Sequence, residues 1–237
     1  TVFLAWLDVP TGKRWLDVGC GTGALCAAIV EHFDPASLTG VEPSAGFLNV
    51  ARATLPSRVV LCSGNAAAIP LAAATVDVVV SGLVLNFIQD PGAAFKEMSR
   101  VAAGGAVFGA YVWGYAGKME IIRHFWDAAV ALDPGAGKLD EGLRFPICRP
   151  DGLAAQVSAA GLQDVQVTAI DVPTPFSSFQ EYWEPFLGGQ GPAPAYAMSL
   201  DDAARGRLRD KLRAQLPIQA DGSISLVARA WAVRATF

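Results

Sequence analysis

Glycines 19, 21 and 23 separate an apolar run ending in an acid from a helical pattern, in Leu-Asp-Val-Gly-Cys-Gly-Thr-Gly-Ala-Leu at 16–25. This stretch constrains the fold more than any other. Glycine reaches positive φ without strain and lets backbone approach a ligand with no Cβ in the way. The helix behind the loop presents unpaired N–H groups and the positive end of its dipole, which suit a small anionic group. A strand, a glycine turn and a helix in this order read as a nucleotide-type cofactor loop. Three alternate glycines are more than a bare structural turn needs.

The same alternation continues along the chain. Strands are expected at Arg14–Val18, Leu38–Glu42, Arg58–Cys62, Val76–Ser81 and Ala106–Tyr111. Helices are expected over Thr22–His32, from the Ser44 cap to Thr54, and after Asp90-Pro91, where a cap precedes an N1 proline. Gly104-Gly105 is expected to turn the chain into the fifth strand. Strand and helix in alternation imply parallel strands joined by right-handed crossovers, a doubly wound α/β fold. The β-branched run Val-Asp-Val-Val-Val at 76–80 reads as a buried strand, because Pro70, Asp77, Ser81, Gly82 and Asn86 break the apolar stretch 66–88 too often for a membrane span.

Beyond residue 111 the rhythm changes. A helix with Met119, Ile122, Trp126 and Val130 on one side precedes a helix over Pro150–Ala160 that Gly161 ends. A sixth strand is expected at Asp164–Asp171, then a Pro/Gly/aromatic stretch at 172–198 and a basic amphipathic helix carrying Arg205, Arg207, Arg209, Lys211 and Arg213. Ile224–Val233 alternates with period two, which predicts a last, antiparallel strand. The expected organisation is one domain over 1–237. Residues 14–111 form its cofactor-binding half, and 112–149 and 172–222 are cap insertions.

Charge and cysteines exclude other classes. A formal net charge of −4 argues against nucleic acid, whose phosphates call for a basic surface, and no membrane partner is expected. The four cysteines show no paired spacing and the two histidines, His32 and His124, lie far apart, so neither a metal site nor a disulfide framework is expected. Reduced thiols point to a cytoplasmic protein. His32 reads as a cation favourable to the end of its helix.

Gly19-Cys20-Gly21-Thr22-Gly23-Ala24 also satisfies the dinucleotide pattern, so the cofactor has to be decided by its neighbours. Asp17 at the strand end would repel a pyrophosphate but suits a cationic amine. Glu42, followed by Pro43, ends the second strand and can accept both hydroxyls of a ribose. Asn65-Ala66, after the third strand, can meet an adenine amino hydrogen and a ring nitrogen. A ligand with an amino-acid end, a ribose and an adenine but no phosphate satisfies all of these, and S-adenosylmethionine has that composition. Its carboxylate is expected at the N–H groups of Gly21–Gly23.

Leu-Asp-Val-Gly-Cys-Gly-Thr-Gly, Gly-Val-Glu-Pro-Ser at 40–44, Gly-Asn-Ala-Ala-Ala-Ile-Pro at 64–70 and Val-Asp-Val-Val-Val-Ser at 76–81 resemble the ordered motifs of class I S-adenosylmethionine-dependent methyltransferases. The pattern is most similar to the type 11 methyltransferase domain, which includes quinone-biosynthesis C-methyltransferases. The resemblance covers residues 14–111 and implies a Rossmann-like seven-stranded sheet of order 3-2-1-4-5-7-6. It implies cofactor contacts for Asp17, Gly19, Cys20, Gly21, Thr22, Gly23, Glu42, Pro43, Asn65, Ala66 and Ser81. Two positions depart from the family pattern: Asn65 stands where many members have Asp, and Asn86 where relatives often have His. Relatives also carry a longer segment ahead of the first strand, where this sequence has Thr1–Lys13.

Methyl transfer from a sulfonium needs in-line positioning more than a catalytic dyad. An apolar or planar small-molecule acceptor is expected against Asn86, Tyr111, Trp113, Tyr115, Trp126, Trp183 and Phe186. Tyr115, His124 and Asn86 are the candidates for handling a proton or a polar group. Two other readings stay open on the sequence: a nicotinamide-dependent oxidoreductase, and a protein that binds S-adenosylmethionine without turnover.

Overall fold

A computed structural model describes residues 1–189 and 191–237. Seven strands are present: β1 Arg14–Val18, β2 Ser37–Glu42, β3 Val59–Ser63, β4 Val76–Gly82, β5 Ala102–Trp113, β6 Gln163–Phe176 and β7 Ile224–Thr236. They form one sheet of order β3-β2-β1-β4-β5-β7-β6, with β7 antiparallel. The helices are α1 Val2–Leu7, α2 Ala24–Phe33, α3 Ala45–Thr54, α4 Pro91–Val101, α5 Glu120–Leu132, α6 Glu141–Arg144, α7 Pro150–Ala159, α8 Phe179–Trp183, α9 Pro192–Ser199 and α10 Asp202–Gln215.

The chain divides into two compact units. One comprises Thr1–Val112, Pro150–Ile170 and Trp231–Phe237; the other comprises Trp113–Arg149 and Asp171–Ala230. In the first, β1 lies between β2 and β4 with parallel register, Asp17 opposite Gly40 on one side and Val80 on the other. Val78, Val79 and Val80 are fully buried, as expected of a strand covered on both faces. On one side Val78 and Val80 join Leu4, Leu7, Ile29 and Leu48 in a core cluster. Phe108 of β5 packs against Phe95 of α4 and Phe237, with ring centroids 5.5 and 5.9 Å apart.

The helix starts follow their sequence signals. Ser44 accepts the Phe47 N–H and Asp90 accepts the Ala93 N–H ahead of Pro91. Three features differ from the sequence reading. Gly104-Gly105 does not turn the chain but lies inside β5, where the pairing with β4 slips between Val76 and Val78 and Gly105 takes φ +76°. β6 and β7 run past their expected ends because ladder pairing, not local alternation, decides where a strand stops. Helices α1, α6, α8 and α9 were not anticipated; each runs little more than two turns at most, too short for a repeated apolar spacing to mark it.

The second unit has its own core, in which Phe125 and Trp126 of α5 pack with Phe179, Tyr182, Trp183, Phe186, Leu208 and Leu212. Its two chain segments, Trp113–Arg149 and Asp171–Ala230, overlap the stretches read as insertions, the second running past 222 into β7. Gly142 fits closely on backbone: a Cβ there would stand 2.9 Å from Ala116 Cα and 3.1 Å from Tyr115 O. Gly142→Ala is therefore expected to lower the unfolding free energy by about 1–3 kcal/mol. Gly104→Ala, which meets nothing within 4 Å, serves as the control. Urea denaturation followed by far-UV circular dichroism separates the two; equal midpoints would contradict the close contact.

Candidate functional site

The carboxyl ends of β1, β2, β3 and β4 lie side by side, and their following loops open onto one cleft of about 660 Å³. That volume lies within the roughly 300–1,000 Å³ usual for small-molecule sites. Its lining combines Gly19, Glu42, Pro43, Asn65 and Ala66 with Phe47, Val84, Phe87, Ile88 and Asp90. The first five were expected from sequence. The others come from the first turn of α3 and the segment after β4, whose side chains reach the cleft only through the fold. Phe47 stands half exposed in the turn that Ser44 caps, with no motif to mark it.

The glycine loop is a set of enforced conformations. Gly19, Gly21 and Gly23 take φ of +75°, +55° and +92°. A Cβ on Gly19 would overlap Val84 at 2.6 Å and one on Gly23 would overlap Leu55 at 2.6 Å, whereas one on Gly21 would point into open space. Gly19 and Cys20 both donate their N–H to Val41 O, at 2.7 and 3.1 Å. Thr22 is exposed at the loop's tip.

Glu42 holds two loops together. One carboxylate oxygen accepts the Gly21 N–H at 3.1 Å and the other the Ser44 N–H at 2.9 Å. The Gly23 N–H goes to Cys20 O at 2.9 Å. The expected capture of a ligand carboxylate by the Gly21–Gly23 N–H groups thus meets a difference: two of those donors are already committed within the protein.

Asp17 is almost wholly buried. Its Oδ2 accepts the Cys26 thiol at 3.2 Å, while Oδ1 is buried with no hydrogen-bond partner. Burial, with a further contribution from Glu42, pushes its carboxyl up to about 7. A buried acceptor left unmatched is costly, so the atom fits a cationic or N–H donor that a ligand would bring. Asn65 uses its side-chain oxygen to accept the Ala67 N–H at 2.9 Å, a turn that sets Ala66 at the cleft. Ser81 is different. It is fully buried and donates to Val18 O at 2.9 Å, which ties β4 to the end of β1 and keeps the side chain out of the cleft lining.

Among the residues expected to meet an acceptor, Asn86 is half-buried between Leu85 and Phe87, and its Nδ2 is buried without a partner. Tyr111 packs on Phe3 with centroids 4.8 Å apart and reaches toward Gly82. Burial, and secondarily Asp17, pushes its hydroxyl up to about 12. Trp113 and His124 are half-buried. Tyr115 stands 6.2 Å from the Phe145 ring, and burial, then Cys148 and Glu141, raises its pKa. Trp126, Trp183 and Phe186 differ from the expectation: at most 3 % exposed, they form the core of the second unit, where the Phe125 and Phe186 rings stack at 4.6 Å. Local sequence cannot tell an aromatic that packs from one that waits for a ligand.

Comparison with known proteins fits this geometry. The methyltransferase domain family matches residues 16–109. A demethylmenaquinone methyltransferase of Roseiflexus castenholzii is 31 % identical over 186 residues, covering 70 % of this chain and 74 % of that protein. The chain belongs to the S-adenosylmethionine-dependent methyltransferase family. S-adenosylmethionine is the methyl donor of this family. An uncharacterised methyltransferase of Mycobacterium tuberculosis is 37 % identical over 108 residues, 46 % of this chain. The match spans 42 % of the length of that relative. The phosphoethanolamine N-methyltransferase 2 of Haemonchus contortus, solved with S-adenosyl-L-methionine, shares the fold at TM-score 0.60 and 16 % identity, covering 99 % of this chain and 51 % of that one.

The state of Asp17 has a measurable consequence. Its folded value, about 7, lies above the unfolded 3.8, so between these the folded chain holds a proton that the unfolded chain has released. Its contribution to stability is complete below 3.8 and is lost as pH rises to about 7. Asp17→Asn is expected to remove that part of the decline and to be more stable than the parent at alkaline pH. Thermal melts across the range check this; a variant less stable at every pH would contradict it.

Proposed function

We propose that the chain binds S-adenosylmethionine in the cleft of its first unit and transfers the methyl group to an apolar or planar small-molecule acceptor. The observation that carries this reading is the convergence of Gly19, Glu42, Pro43, Asn65 and Ala66, from three loops, on one cleft of suitable volume. The unmatched Oδ1 of Asp17 supports it, because the buried acceptor suits the amino group of such a ligand. The fit extends to Gly21, beside which open space would admit a close approach. In the reading, Glu42 holds the ribose hydroxyls and the Asn65-Ala66 turn meets the adenine. Asp17, Gly19, Cys20, Gly21, Thr22 and Gly23 cradle the amino-acid end, and Ser81 acts by fixing β4 to β1.

When bound, S-adenosylmethionine supplies an electrophilic methyl on a good leaving group. The chain's part is alignment and exclusion of water. Charge at sulfur falls along the path, so apolar walls such as Val18, Val84, Phe87 and Ile88 do not oppose it. Asn86, with a free buried amide N–H, would orient an oxygen of the acceptor. Tyr115 of the second unit, its pKa raised by burial, stays protonated near neutral pH and so is no general base. The relative named demethylmenaquinone methyltransferase is consistent with an apolar, planar acceptor.

Titration calorimetry with S-adenosylmethionine and with NAD tests the first half; binding of NAD alone would reject the reading. Glu42→Ala removes an acceptor of charge-assisted bonds and is expected to weaken S-adenosylmethionine about 10- to 100-fold, a loss of about 1.5–3 kcal/mol. Affinity is further expected to rise with pH through about 7, as Asp17 loses its proton, and Asp17→Asn should abolish that slope. Methyl transfer to quinol-type acceptors, followed by product mass, tests the second half. Tight binding with no transfer to any acceptor would favour a non-catalytic protein.

A further inference from the structure

The segment 134–149 of the second unit separates its charges by direction. Its only acids are Asp140 and Glu141, and its cations are Lys138, Arg144 and Arg149. Both acids face inward, 5 % and 4 % exposed. Asp140 receives both terminal nitrogens of Arg123, at 3.1 and 2.7 Å, and caps α6 by accepting the Gly142 N–H at 2.8 Å. Glu141 accepts the indole N–H of the buried Trp126. The three cations are exposed, although one terminal nitrogen of Arg149 donates to Gly142 O at 3.1 Å.

Two apolar side chains of the segment are exposed as well. Leu143 is 66 % exposed and Leu139 is 41 % exposed. The cause is helical geometry. With Glu141 turned inward, residue 143 lies about 200° further round the helix and has to project outward. Gly142, pressed against the backbone of Tyr115 and Ala116, prevents α6 from rolling to bury it. Arg144 stands over the Phe145 ring at 5.6 Å, keeping a cation and an aromatic together at the same edge. The preceding acid, Asp133, is occupied in capping the next turn through the Gly135 N–H and in accepting the Tyr196 hydroxyl.

We infer that this edge, Lys138, Leu139, Leu143, Arg144 and Arg149, is a peripheral docking surface for an anionic phospholipid bilayer. Projecting leucines enter the boundary between headgroups and acyl chains, while lysine and arginine reach phosphates with their stems along the apolar region. An acidic protein would pair the cations but would leave Leu143 needing a pocket of its own, so the protruding leucines favour a lipid surface. Attachment is on the membrane, not through it: among the described residues no helix is long and apolar enough to cross one. The expectation of no membrane partner rests on the broken apolar stretch 66–88 and on the basic helix 202–215, whose cations are offset by Asp201, Asp202 and Asp210; neither bears on this segment. The inference does not depend on the methyl-transfer reading, and its test needs no turnover.

The test is co-sedimentation of the full chain with vesicles rich in phosphatidylglycerol, against vesicles of phosphatidylcholine alone. The chain is expected to pellet with the anionic vesicles only and to be released by high salt. Each cation near such a surface is worth about fivefold in partitioning, so the Lys138→Glu/Arg144→Glu double variant should lose at least about 25-fold. Leu143→Asp should also prevent pelleting and Leu143→Ala should weaken it, with unchanged circular dichroism. A parent chain that stays in the supernatant, pellets equally with neutral vesicles, or is indifferent to Leu143→Asp overturns the inference. Retention on immobilised polyglutamate without vesicle binding overturns it too, and reassigns the cations to an acidic protein.

Discussion

The carboxylate of Glu42 is the junction on which the geometry of the first unit's cleft depends. It sits at the end of β2 and accepts one N–H from the loop after β1 and one from the start of the loop to α3. Parallel register sets β1 beside β2, so the two loops emerge at the same edge of the sheet and can share one acceptor. Without it the positive-φ turn at Gly21 would have lost an anchor from the neighbouring strand. The same acid lines the cleft, so the group that shapes the site also faces whatever enters it.

Asp17 shows the opposite economy. Its carboxyl is buried at the centre of the sheet with one oxygen matched by a thiol and the other by nothing. A fold selected for stability alone would place an apolar residue there, since an unmatched buried acceptor costs free energy. A local conflict of this kind is what the proposed binding of a ligand's amino group would relieve. Tyr111 and Glu42, whose charges bear on Asp17 or feel it, belong to the same electrostatic neighbourhood.

The second unit is organised by its aromatic core and by two carboxylates turned into it. Phe125, Trp126, Tyr182 and Phe186 bury large areas against one another, and Glu141 satisfies the one polar atom of Trp126. The inward acids then decide what the surface shows, because turning the Asp140 cap and Glu141 inside leaves Leu143 and Arg144 of the same short helix outside. Packing and surface chemistry are here two results of one helix orientation.

Much of this was legible in the sequence because it rests on local chemistry. Glycines at 19, 21 and 23, the acid at the end of each of the first two strands, the caps at Ser44 and Asp90 and the buried valine run all act within a few residues. They determined the strand–helix order and the glycine loop. Residues whose role depends on a distant neighbour were not legible. Ser81 reads as a loop-end hydroxyl until Val18 is found beside it. Trp126, Trp183 and Phe186 read as ligand-facing aromatics until they are found packed together. Phe47, Val84 and Phe87 carry no motif, yet their backbones bring them to the cleft. The Gly104-Gly105 pair looked like a turn because glycine's freedom is local, but pairing with β4 kept it in a strand. The sequence by itself determined which turns and helix starts form, since those are settled by a residue's own dihedral and capping preferences. Only the tertiary structure decided which polar atoms are left unmatched and which apolar side chains face water, because both depend on contacts between residues far apart in the chain.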